Sequence, residues 1–571
     1  MILGAAAQIA ANAMLSPIID SFLKDSIKDI FMKYILIMAI FVVTIALGQY
    51  LGSLFMAKLA QRTVHKIRKD MFAHMENLPV SYFDTNSHGD LMSTFTNDVD
   101  MLNQSLEQSV SQTVLSVVSV VGSFIMMLLL SPILTVVVVV MLIVMLASIK
   151  YIGQKSAKNF RSQQTTLADM NGYIEEMMAG QKVVKVFNYE DRAIKTFMGK
   201  NEELRKASTD ASAYGVMLMP IMGNLSYVLY AFVSMFGAFL IMRGKMSVGN
   251  IASFLQYTRT ISRPITMLSN QFNMLFAALA GAERIFRVLD EKEEIDEGDV
   301  VLVRDFADKG YDYWKLPKEN DKYEKVPLKG FITFKNVDFG YLQKKKVLKN
   351  INLYAKPGQK IAFVGSTGAG KTTITNLINR FYEVWDGSIL YDGIDIAKIR
   401  KHDLRSTMSI VLQDVHLFEE TIADNIRYGR LDATREEVIA AAKLANAHYF
   451  IKKLPDGYDT MLLADGQNLS QGERQLLSIA RAAIANPTIL ILDEATSSVD
   501  TRTERLIAEG MDKLMEGRTT FVIAHRLSTV RDANAIMVLE QGEIIERGDH
   551  DDLMNQEGRY FALNTGKMEL E

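Results

Sequence analysis

Residues 360–373 read KIAFVGSTGAGKTT, and this stretch decides the fold of the second half of the chain. Its opening predicts a short buried strand, and the rest matches G-x-x-x-x-G-K-T in the strand-to-helix context that this pattern requires. Glycines there let backbone N–H groups surround phosphate oxygens at a helix N-terminus, where the helix dipole also favours anions. We therefore expect Lys371 to reach the β- and γ-phosphates of a nucleotide, and Thr372 to ligate Mg²⁺. The other expected nucleotide contacts in this loop are Gly365, Ser366, Thr367, Gly368, Ala369, Gly370 and Thr373.

A second apolar run, ILILDE at residues 489–494, ends in two carboxylates. Such a run is typical of a parallel strand that is covered on both faces. Asp493 then fits a contact with Mg²⁺ through water, and Glu494 can accept a proton from the water that attacks a phosphate. The alternative interpretation is a pair of acids at an exposed strand end, which the phosphate-binding loop upstream makes the weaker one.

Residues 469–475, LSQGERQ, open a helix that continues as LLSIAR to residue 481. This run resembles the signature of ATP-binding cassette (ABC) proteins, and the resemblance covers about residues 330–565. Further motifs stand in the order of that family. They are Tyr341, Gln413 in VLQD, Ser498 and Asp500 after the two carboxylates, and His525 after TFVIA.

The resemblance to ABC proteins implies roles for these motifs. Tyr341 would stack on the adenine of ATP, Gln413 would contact Mg²⁺ and the attacking water, and His525 would assist hydrolysis together with Glu494 and Lys371. Two cassettes would sandwich two ATP molecules, so that each site joins the loop of one chain to the signature of the other. The signature residues facing the partner's ATP would be Leu469, Ser470, Gln471, Gly472 and Glu473, and Ser498 and Asp500 would contact the partner cassette.

The first half of the chain has the composition of a membrane domain. Four stretches lack Asp, Glu, Lys and Arg: residues 1–19, 34–57, 110–149 and 211–242. A helix needs roughly 20 apolar residues to cross a bilayer, so the third stretch predicts two spans joined at Ser131 and Pro132. A sixth span over about 246–282 is interrupted by Arg259 and Arg263. The first stretch has no basic lead-in of a signal peptide, so we interpret it as a span and expect the natural start upstream.

Basic residues concentrate in the two long segments between spans, about 58–109 and 150–210. The positive-inside rule places these segments in the cytosol, together with the nucleotide-binding domain. We therefore predict a multi-pass protein of the cytoplasmic membrane. A net charge of -3 argues against nucleic acid as a partner, and the absence of cysteine excludes disulfides and cysteine-ligated zinc.

The membrane half is similar to the exporter branch of the ABC family. YFD at 82–84, GDL at 89–91 and NDVD at 97–100 resemble its first cytoplasmic segment, and residues 176–190 resemble its second. In that branch both segments carry short coupling helices that dock on the cassettes. The predicted fold class is thus an α-helical six-span transmembrane domain over 1–283, a charged linker over 284–329 and an α/β P-loop nucleotide-binding domain over 330–571.

The signature departs from the usual Leu-Ser-Gly-Gly-Gln of the family at Gln471 and Glu473. Ser470 and Glu473 match the S-x-x-E capping box, which is a structural reason for the glutamate. A carboxylate beside the partner's γ-phosphate is nevertheless unfavourable, so the site that this signature completes is expected to be slow. The loop LADG at 463–466 also lacks the glutamate-centred pattern of exporters. These departures favour a heterodimer with a second half-transporter that lacks the catalytic glutamate, and a homodimer is the alternative.

The two arginines of the sixth span share a helix face and lie deep in the predicted membrane. They could line a substrate cavity or make a structural or gating contact, because charges at such depth need a cavity or a partner. The predicted function is ATP-driven export of amphipathic small molecules, lipids or peptides. The alternative is a membrane ATPase that senses a solute and regulates a partner.

Overall fold

The computed structural model describes residues 1–571 except 24–27, 306–309, 321, 343, 494–499, 525–529 and 566–571. It describes only the backbone of residues 28, 29, 218, 263, 265–273 and 464. The chain forms two compact units. Unit 1 comprises Met1–Asn77 and Asn86–Glu291, and unit 2 comprises Leu78–Thr85 and Lys292–Glu571.

Helices dominate the first 291 residues. They are α1 (Ile2–Leu23), α2 (Lys28–Glu76), α3 (Val80–Thr85), α4 (His88–Ser93), α5 (Val99–Gln104), α6 (Val110–Leu130), α7 (Pro132–Ala179), α8 (Gln181–Val186), α9 (Glu190–Met242) and α10 (Val248–Leu289). All of these except α3 belong to unit 1. Five-residue π-helical turns, Thr94–Asp98 and Ser105–Ser109, join α4, α5 and α6 into one helical stretch.

Five helical stretches are long and apolar enough to cross a membrane, judged by length and composition over the described residues. They are Ile2–Leu23, Ile30–Glu76, His88–Leu130, Pro132–Ala179 and Glu190–Met242. The residues predicted to form a sixth span lie within the helix α10, which is not among these five apolar stretches. The predicted hairpin at Ser131 is confirmed, since its side chain caps α7 and Pro132 takes the first helical position.

The two segments that the sequence analysis treated as long loops are mostly helical. The membrane helices α2, α7 and α9 extend far beyond their apolar parts into these segments, and α7 and α9 contain Gly153, Gly172 and Gly199 without a break. Near the end of α10, the Arg284 guanidinium contacts the buried Asp98 carboxylate with two hydrogen bonds of 2.5 and 2.7 Å. This ion pair ties α10 to the first π-helical turn.

Unit 2 contains thirteen strands among its described residues. They are β1 (Val301–Val303), β2 (Tyr313–Pro317), β3 (Tyr323–Pro327), β4 (Ile332–Phe339), β5 (Leu348–Ala355), β6 (Lys360–Val364), β7 (Asp386–Tyr391), β8 (Ile394–Asp395), β9 (Met408–Val411), β10 (Ile489–Asp493), β11 (Thr519–Ile523), β12 (Ala535–Glu540) and β13 (Glu543–Gly548). They form a six-stranded sheet of order β13-β12-β6-β11-β10-β9, a sheet of order β5-β4-β7-β8, and a sheet of order β1-β2-β3.

The helices of unit 2 cover these sheets. After α3 they are α11 (Lys371–Ile378), α12 (Lys401–Ser406), α13 (Ile422–Arg427), α14 (Arg435–Leu444), α15 (His448–Ile451), α16 (Gln471–Ala485), α17 (Thr501–Met515), α18 (His550–Asn555) and α19 (Arg559–Asn564). In the large sheet, β9, β10, β11, β6 and β12 are parallel to their neighbours, and only β13 is antiparallel. Strands β6, β10 and β11 are almost wholly buried, as their apolar sequences predict.

The predicted charged linker carries the three-stranded sheet instead of remaining extended and solvated. Trp314 of β2 is fully buried, packs edge-on against Tyr391 and donates from Nε1 to Asp392 Oδ2 at 3.2 Å. The apolar side of this short sheet is therefore part of the core of unit 2. Its alternating charged side chains lie on the other side, which explains why composition alone indicated a linker.

Candidate nucleotide, signature and membrane sites

The phosphate-binding loop, Gln413 and Asp493 meet at one edge of the large sheet. Parallel strands end at the same edge, and the loop follows β6, Gln413 lies two residues after β9, and Asp493 is the last residue of β10. Gln413 is exposed there. Burial lowers the pKa of Lys371, and the nearby Asp493 charge opposes part of that shift, so these two groups lie within electrostatic reach of each other.

The loop has the geometry of an anion cradle. Lys371 is buried and donates from Nζ to the carbonyl oxygens of Gly365 and Ser366 at 2.7 and 3.0 Å. A Cβ atom at Gly365 would lie 2.2 Å from the Leu539 carbonyl oxygen, so no other residue fits this turn. Gly370 has a φ of 106° and is the N-cap of α11, whose first helical residue is Lys371. A phosphate group fits here, because a buried ammonium and a helix N-terminus face the same turn.

Tyr341 lies beside this loop. Its hydroxyl donates to Thr373 Oγ1 at 3.1 Å, and its ring is half exposed and packs edge-on against Phe339 and Tyr382. The exposed Thr372 is the next residue after Lys371. The described part of the site therefore brings Tyr341, the loop, Gln413 and Asp493 to one surface of unit 2.

The signature begins α16, and its predicted capping box is confirmed. Ser470 Oγ accepts the backbone N–H of Glu473 at 3.3 Å, and Glu473 Oε2 accepts the backbone N–H of Ser470 at 2.9 Å. The Ser470 hydroxyl also donates to Glu473 Oε2 at 2.8 Å. Leu469 and Gly472 are buried, whereas Gln471 is exposed. Glu473 is thus folded back on the serine of the signature.

Asp500 lies near the signature. It caps α17 by accepting the backbone N–H groups of Arg502 and Thr503 at 3.1 and 3.0 Å, and hydrogen bonds from Thr503 and Arg502 lower its pKa. Ser470, Glu473 and Asp500 line one cavity of about 620 Å³. The structure thus brings the signature close to Asp500, for which the sequence predicts a contact with the partner cassette. Glu494, Ser498 and His525 lie outside the described residues.

Two residues that the sequence analysis did not single out connect these sites. Arg481 on α16 is largely buried, which lowers its pKa, and it donates to the carbonyl oxygens of His416 and Asn425 at 3.0 Å each. Asp465, in the loop that lacks the family's glutamate, accepts the backbone N–H of Leu417 at 2.9 Å. Arg481 holds the segment after Gln413 against the signature helix, and Asp465 holds it against the loop that precedes this helix. The signal for Arg481 was its position four residues after Leu477 on the apolar face of α16.

The short helix α3 belongs to unit 2, although its neighbours in sequence belong to unit 1. Asp84 of α3 accepts a hydrogen bond from the Tyr382 hydroxyl. Burial and this hydrogen bond raise the pKa of Tyr382 well above its usual value. The YFD motif that resembled a coupling segment therefore packs on the same unit as the phosphate-binding loop.

In unit 1, Arg259 lines a cavity of about 340 Å³ between α9 and α10, and its guanidinium lies 5.3 Å from the centre of the Tyr230 ring. Arg263 lies on the same helix, but its side chain is outside the described residues. The structure thus assigns Arg259 a cavity and an aromatic neighbour.

A bundle of membrane-length helices followed by a P-loop unit with an ABC-type signature defines the class of ATP-driven membrane transporters. Comparison with known families agrees. Residues 1–265 match the ABC transporter transmembrane region, and residues 348–497 match the ABC transporter cassette. The chain belongs to the ABC transporter family. It is an exporter-type half-transporter of the cytoplasmic membrane that binds and hydrolyses ATP, and such exporters act as dimers.

The relatives match over almost their whole length. The ABC transporter ATP-binding protein YfiC of Bacillus subtilis is 41% identical over 552 residues, covering 96% of this chain and 88% of that protein. A fatty acid ABC transporter ATP-binding/permease protein of Mycobacterium bovis is 39% identical over 91% of this chain and 80% of its own length. An ATP-dependent lipid A-core flippase of Syntrophus aciditrophicus is 34% identical over 99% of this chain and 90% of its own length. The structure of a bacterial Atm1-family ABC exporter with ATP bound is 27% identical, has a TM-score of 0.76, and covers 99% of this chain and 96% of that one.

Proposed function

We propose that this half-transporter exports lipid-like amphiphiles that carry an acyl chain. The observation that carries the proposal is the similarity to a fatty acid transporter over 80% of its length and to a lipid A-core flippase over 90% of its length. The sequence left three substrate classes open: amphipathic small molecules, lipids and peptides. Of these, lipids share an acyl chain with the molecules for which both relatives are named. Peptides and other amphipathic molecules have no such support.

In the proposed ATP site, Lys371 and the loop hold the phosphates, and Tyr341 stacks on adenine. Thr372, Gln413 and Asp493 hold Mg²⁺, either directly or through water, because hydroxyl, amide and carboxylate oxygens are the ligands that this ion prefers. The bound ion neutralises charge on the phosphates during hydrolysis. Glu494 orients the attacking water and accepts its proton, and His525 contributes a hydrogen bond to the γ-phosphate.

The proposed dimer is a heterodimer. Its support is the hydrogen bond from the Ser470 hydroxyl to Glu473. In a cassette dimer this serine faces the partner's γ-phosphate, yet its proton is engaged with a carboxylate whose negative charge repels that phosphate. A site completed by this signature would be slow. A partner with a standard signature would complete a fast site with this chain's own P-loop and Glu494.

In the proposed cycle, ATP closes the two cassettes and hydrolysis separates them. Helix α3 carries the motion because it packs on unit 2 through Tyr382 and Asp84, while the chain on either side of it in sequence belongs to unit 1. Substrate and ATP drive the change only through their different affinities for the two states of the pump.

The experiment is ATP hydrolysis by the purified full-length chain in phosphatidylcholine nanodiscs, with and without palmitate. It is run for the chain alone, for the chain co-purified with a second half-transporter, and for Glu494→Gln in both. We expect little turnover alone, and palmitate-stimulated turnover with the partner that Glu494→Gln abolishes. Full Glu494-dependent turnover alone would show a homodimer and contradict the heterodimer. Stimulation that never leads to vesicle uptake would favour the sensor function.

A further inference from the structure

Arg259 lies near the middle of the membrane by two separate measures. It is eleven residues into α10, which is roughly 16 Å along a helix that rises 1.5 Å per residue. Its neighbour Tyr230 is twelve residues before the end of α9, roughly 18 Å from the same connection. A hydrocarbon core is about 30 Å thick, so both side chains start near its centre. A charge at that depth is costly unless it meets water or an opposite charge.

The described residues supply an aromatic face to this arginine but no acid. The guanidinium lies over the Tyr230 ring, and Arg259 is exposed to the cavity between α9 and α10. None of the described residues lining that cavity is an aspartate or a glutamate, and no described carboxylate forms an ion pair with Arg259. The positive charge in this cavity is therefore not compensated by the described part of the chain.

The remaining hydrogen-bond donors point to an anion as well. Three hydroxyls in the cavity donate to carbonyl oxygens of their own helices at 2.9–3.0 Å: Ser226 to Met222, Thr258 to Phe254 and Ser262 to Thr258. Their protons are used locally. The guanidinium of Arg259 and the phenol groups of Tyr227 and Tyr230 remain as donors, and none of them has a hydrogen bond to a described residue. The cavity thus offers donors and positive charge together.

We infer that this cavity binds the anionic headgroup, a carboxylate or a phosphate, of the exported amphiphile. The inference rests on the proposed function and deepens it. The planar guanidinium matches either group with two parallel hydrogen bonds, and the two phenols supply further donors. A volume of about 340 Å³ is at the small end for ligand sites, which suits a headgroup and the start of a tail. Met219 lines the cavity and is largely exposed, so it offers apolar surface to that tail.

The test is equilibrium binding to the full-length protein in phosphatidylcholine nanodiscs, with empty nanodiscs subtracted. The probes are tritiated palmitate, hexadecyl phosphate and the uncharged hexadecan-1-ol. Arg259→Gln should weaken palmitate binding about tenfold or more, because it removes a charge-assisted pair in a medium of low dielectric. Binding of hexadecan-1-ol should change less than about twofold, since an uncharged headgroup forms no such pair. The matched control is Arg243→Gln, because Arg243 also lies over an aromatic ring, that of Phe239, but at the exposed end of α9.

Arg259→Lys distinguishes the two headgroups. Lysine keeps the charge but loses the planar fork, so phosphate binding should recover more than carboxylate binding. Tyr230→Phe keeps the ring and removes one donor, and it should weaken both anionic probes severalfold. Loss of ATP binding would show that Arg259→Gln does not fold. In that case Arg259→Lys and Tyr230→Phe test whether the cavity binds an anionic headgroup. Equal effects of all Arg259 and Tyr230 variants on palmitate and hexadecan-1-ol, or no effect on either, would overturn the inference.

The inference and the proposed function can fail separately. If palmitate binding depends on Arg259 but ATP does not move palmitate, the headgroup site is supported and the export of acyl chains is refuted. If ATP-dependent movement of palmitate is unchanged in Arg259→Gln, the export of acyl chains is supported and the headgroup site is refuted.

Discussion

Two acidic side chains in unit 2 have the same structural role and different surroundings. Glu473 closes the capping box of α16 with Ser470, and Glu437 closes the capping box of α14 with Thr434. Only the first lies in a signature that would face a nucleotide. A carboxylate at a helix N-terminus is locally stabilising, so the helix itself gives no reason to avoid it. Any cost of Glu473 falls on the partner's ATP.

Replacing Glu473 should therefore raise ATP turnover. Glutamine at this position can keep the capping box but carries no charge and competes less for the Ser470 proton. In a dimer whose partner carries a catalytic glutamate, we expect Glu473→Gln to increase turnover about three- to tenfold in the site that this signature completes, measured by phosphate release in nanodiscs. Glu437→Gln is the control and should leave turnover unchanged. An unaltered or lower rate in Glu473→Gln, with ATP binding intact, would mean that the glutamate does not slow the site.

Glu294 anchors the start of unit 2. Its carboxylate accepts hydrogen bonds from Lys401 at 3.1 Å and from Arg405 at 2.6 and 2.9 Å. Burial raises the pKa of Glu294, but the hydrogen bonds from Arg405 and Lys401 outweigh burial and lower the pKa below its usual value of 4.5. A carboxyl with a lowered pKa in the folded state stabilises the fold fully above its unfolded pKa. That stability is lost as the pH falls through the folded pKa.

This sign gives a prediction for pH. At pH 7 Glu294→Gln should lower the apparent melting temperature of unit 2 by about 2–4 °C, because the buried Lys401 and the partly buried Arg405 each lose an anionic partner. The gap to the wild type should narrow between pH 5 and pH 3, as the wild-type carboxylate becomes protonated. Scanning calorimetry of the full chain measures this. Glu297→Gln, at an exposed carboxylate three residues later, should have no effect at either pH. A gap that stays constant down to pH 3 would contradict the assignment.

At the scale of elements, the sequence predicted what local pattern determines and missed what distant residues determine. The strand before Gly365, the run ending at Asp493 and the capping box of Ser470 each follow from a few adjacent residues, and the structure forms all three. The sheet of β1, β2 and β3 depends on Trp314 reaching Asp392, which is 78 residues away. No local pattern contains that contact, so the charges around Trp314 indicated a linker.

The site shows the same division. Tyr341 and Asp493 lie at or just after a strand end and Lys371 begins a helix, and the structure brings these elements to one surface of unit 2. Arg481 and Asp465 hold the segment after Gln413 through carbonyl and N–H groups more than 45 residues away in sequence. Every residue type has a backbone carbonyl group, so the sequence does not indicate which carbonyl group a distant side chain will contact. The prediction that the first half is a membrane domain rested on the lengths of its apolar helices, which composition predicts well in a membrane protein.

The β1-β2-β3 sheet should be a structural part of unit 2. Trp314→Ala should destabilise the unit by about 3–5 kcal/mol, because a fully buried indole leaves a large cavity. Trp314→Phe keeps most of the packing and should cost about 1 kcal/mol for the lost hydrogen bond to Asp392. The apparent melting temperature of the full chain in nanodiscs measures both. Tyr323→Ala on the exposed side is the control, and equal melting temperatures for Trp314→Ala and Tyr323→Ala would show that the sheet is only an appended linker.

At the scale of the whole molecule, the chain combines an ATP-hydrolysing unit with a helical membrane unit. The two are linked in sequence around α3 and after α10. One polypeptide carries one P-loop and one signature, and each ATP site of a cassette dimer needs both from different chains. A second half-transporter is therefore required for full activity. Hydrolysis at this P-loop is proposed to move an acyl amphiphile across the membrane.

The measurement that tests this claim most directly is ATP-dependent accumulation of tritiated palmitate in inside-out vesicles. The vesicles contain the full chain alone or with a second half-transporter, either as wild type or as Glu494→Gln. We expect accumulation that requires ATP and the partner and that Glu494→Gln abolishes, with palmitate released when the vesicles are permeabilised. Glu494-dependent ATP hydrolysis in the same vesicles without accumulation of palmitate or hexadecyl phosphate would show that this pump does not move acyl amphiphiles.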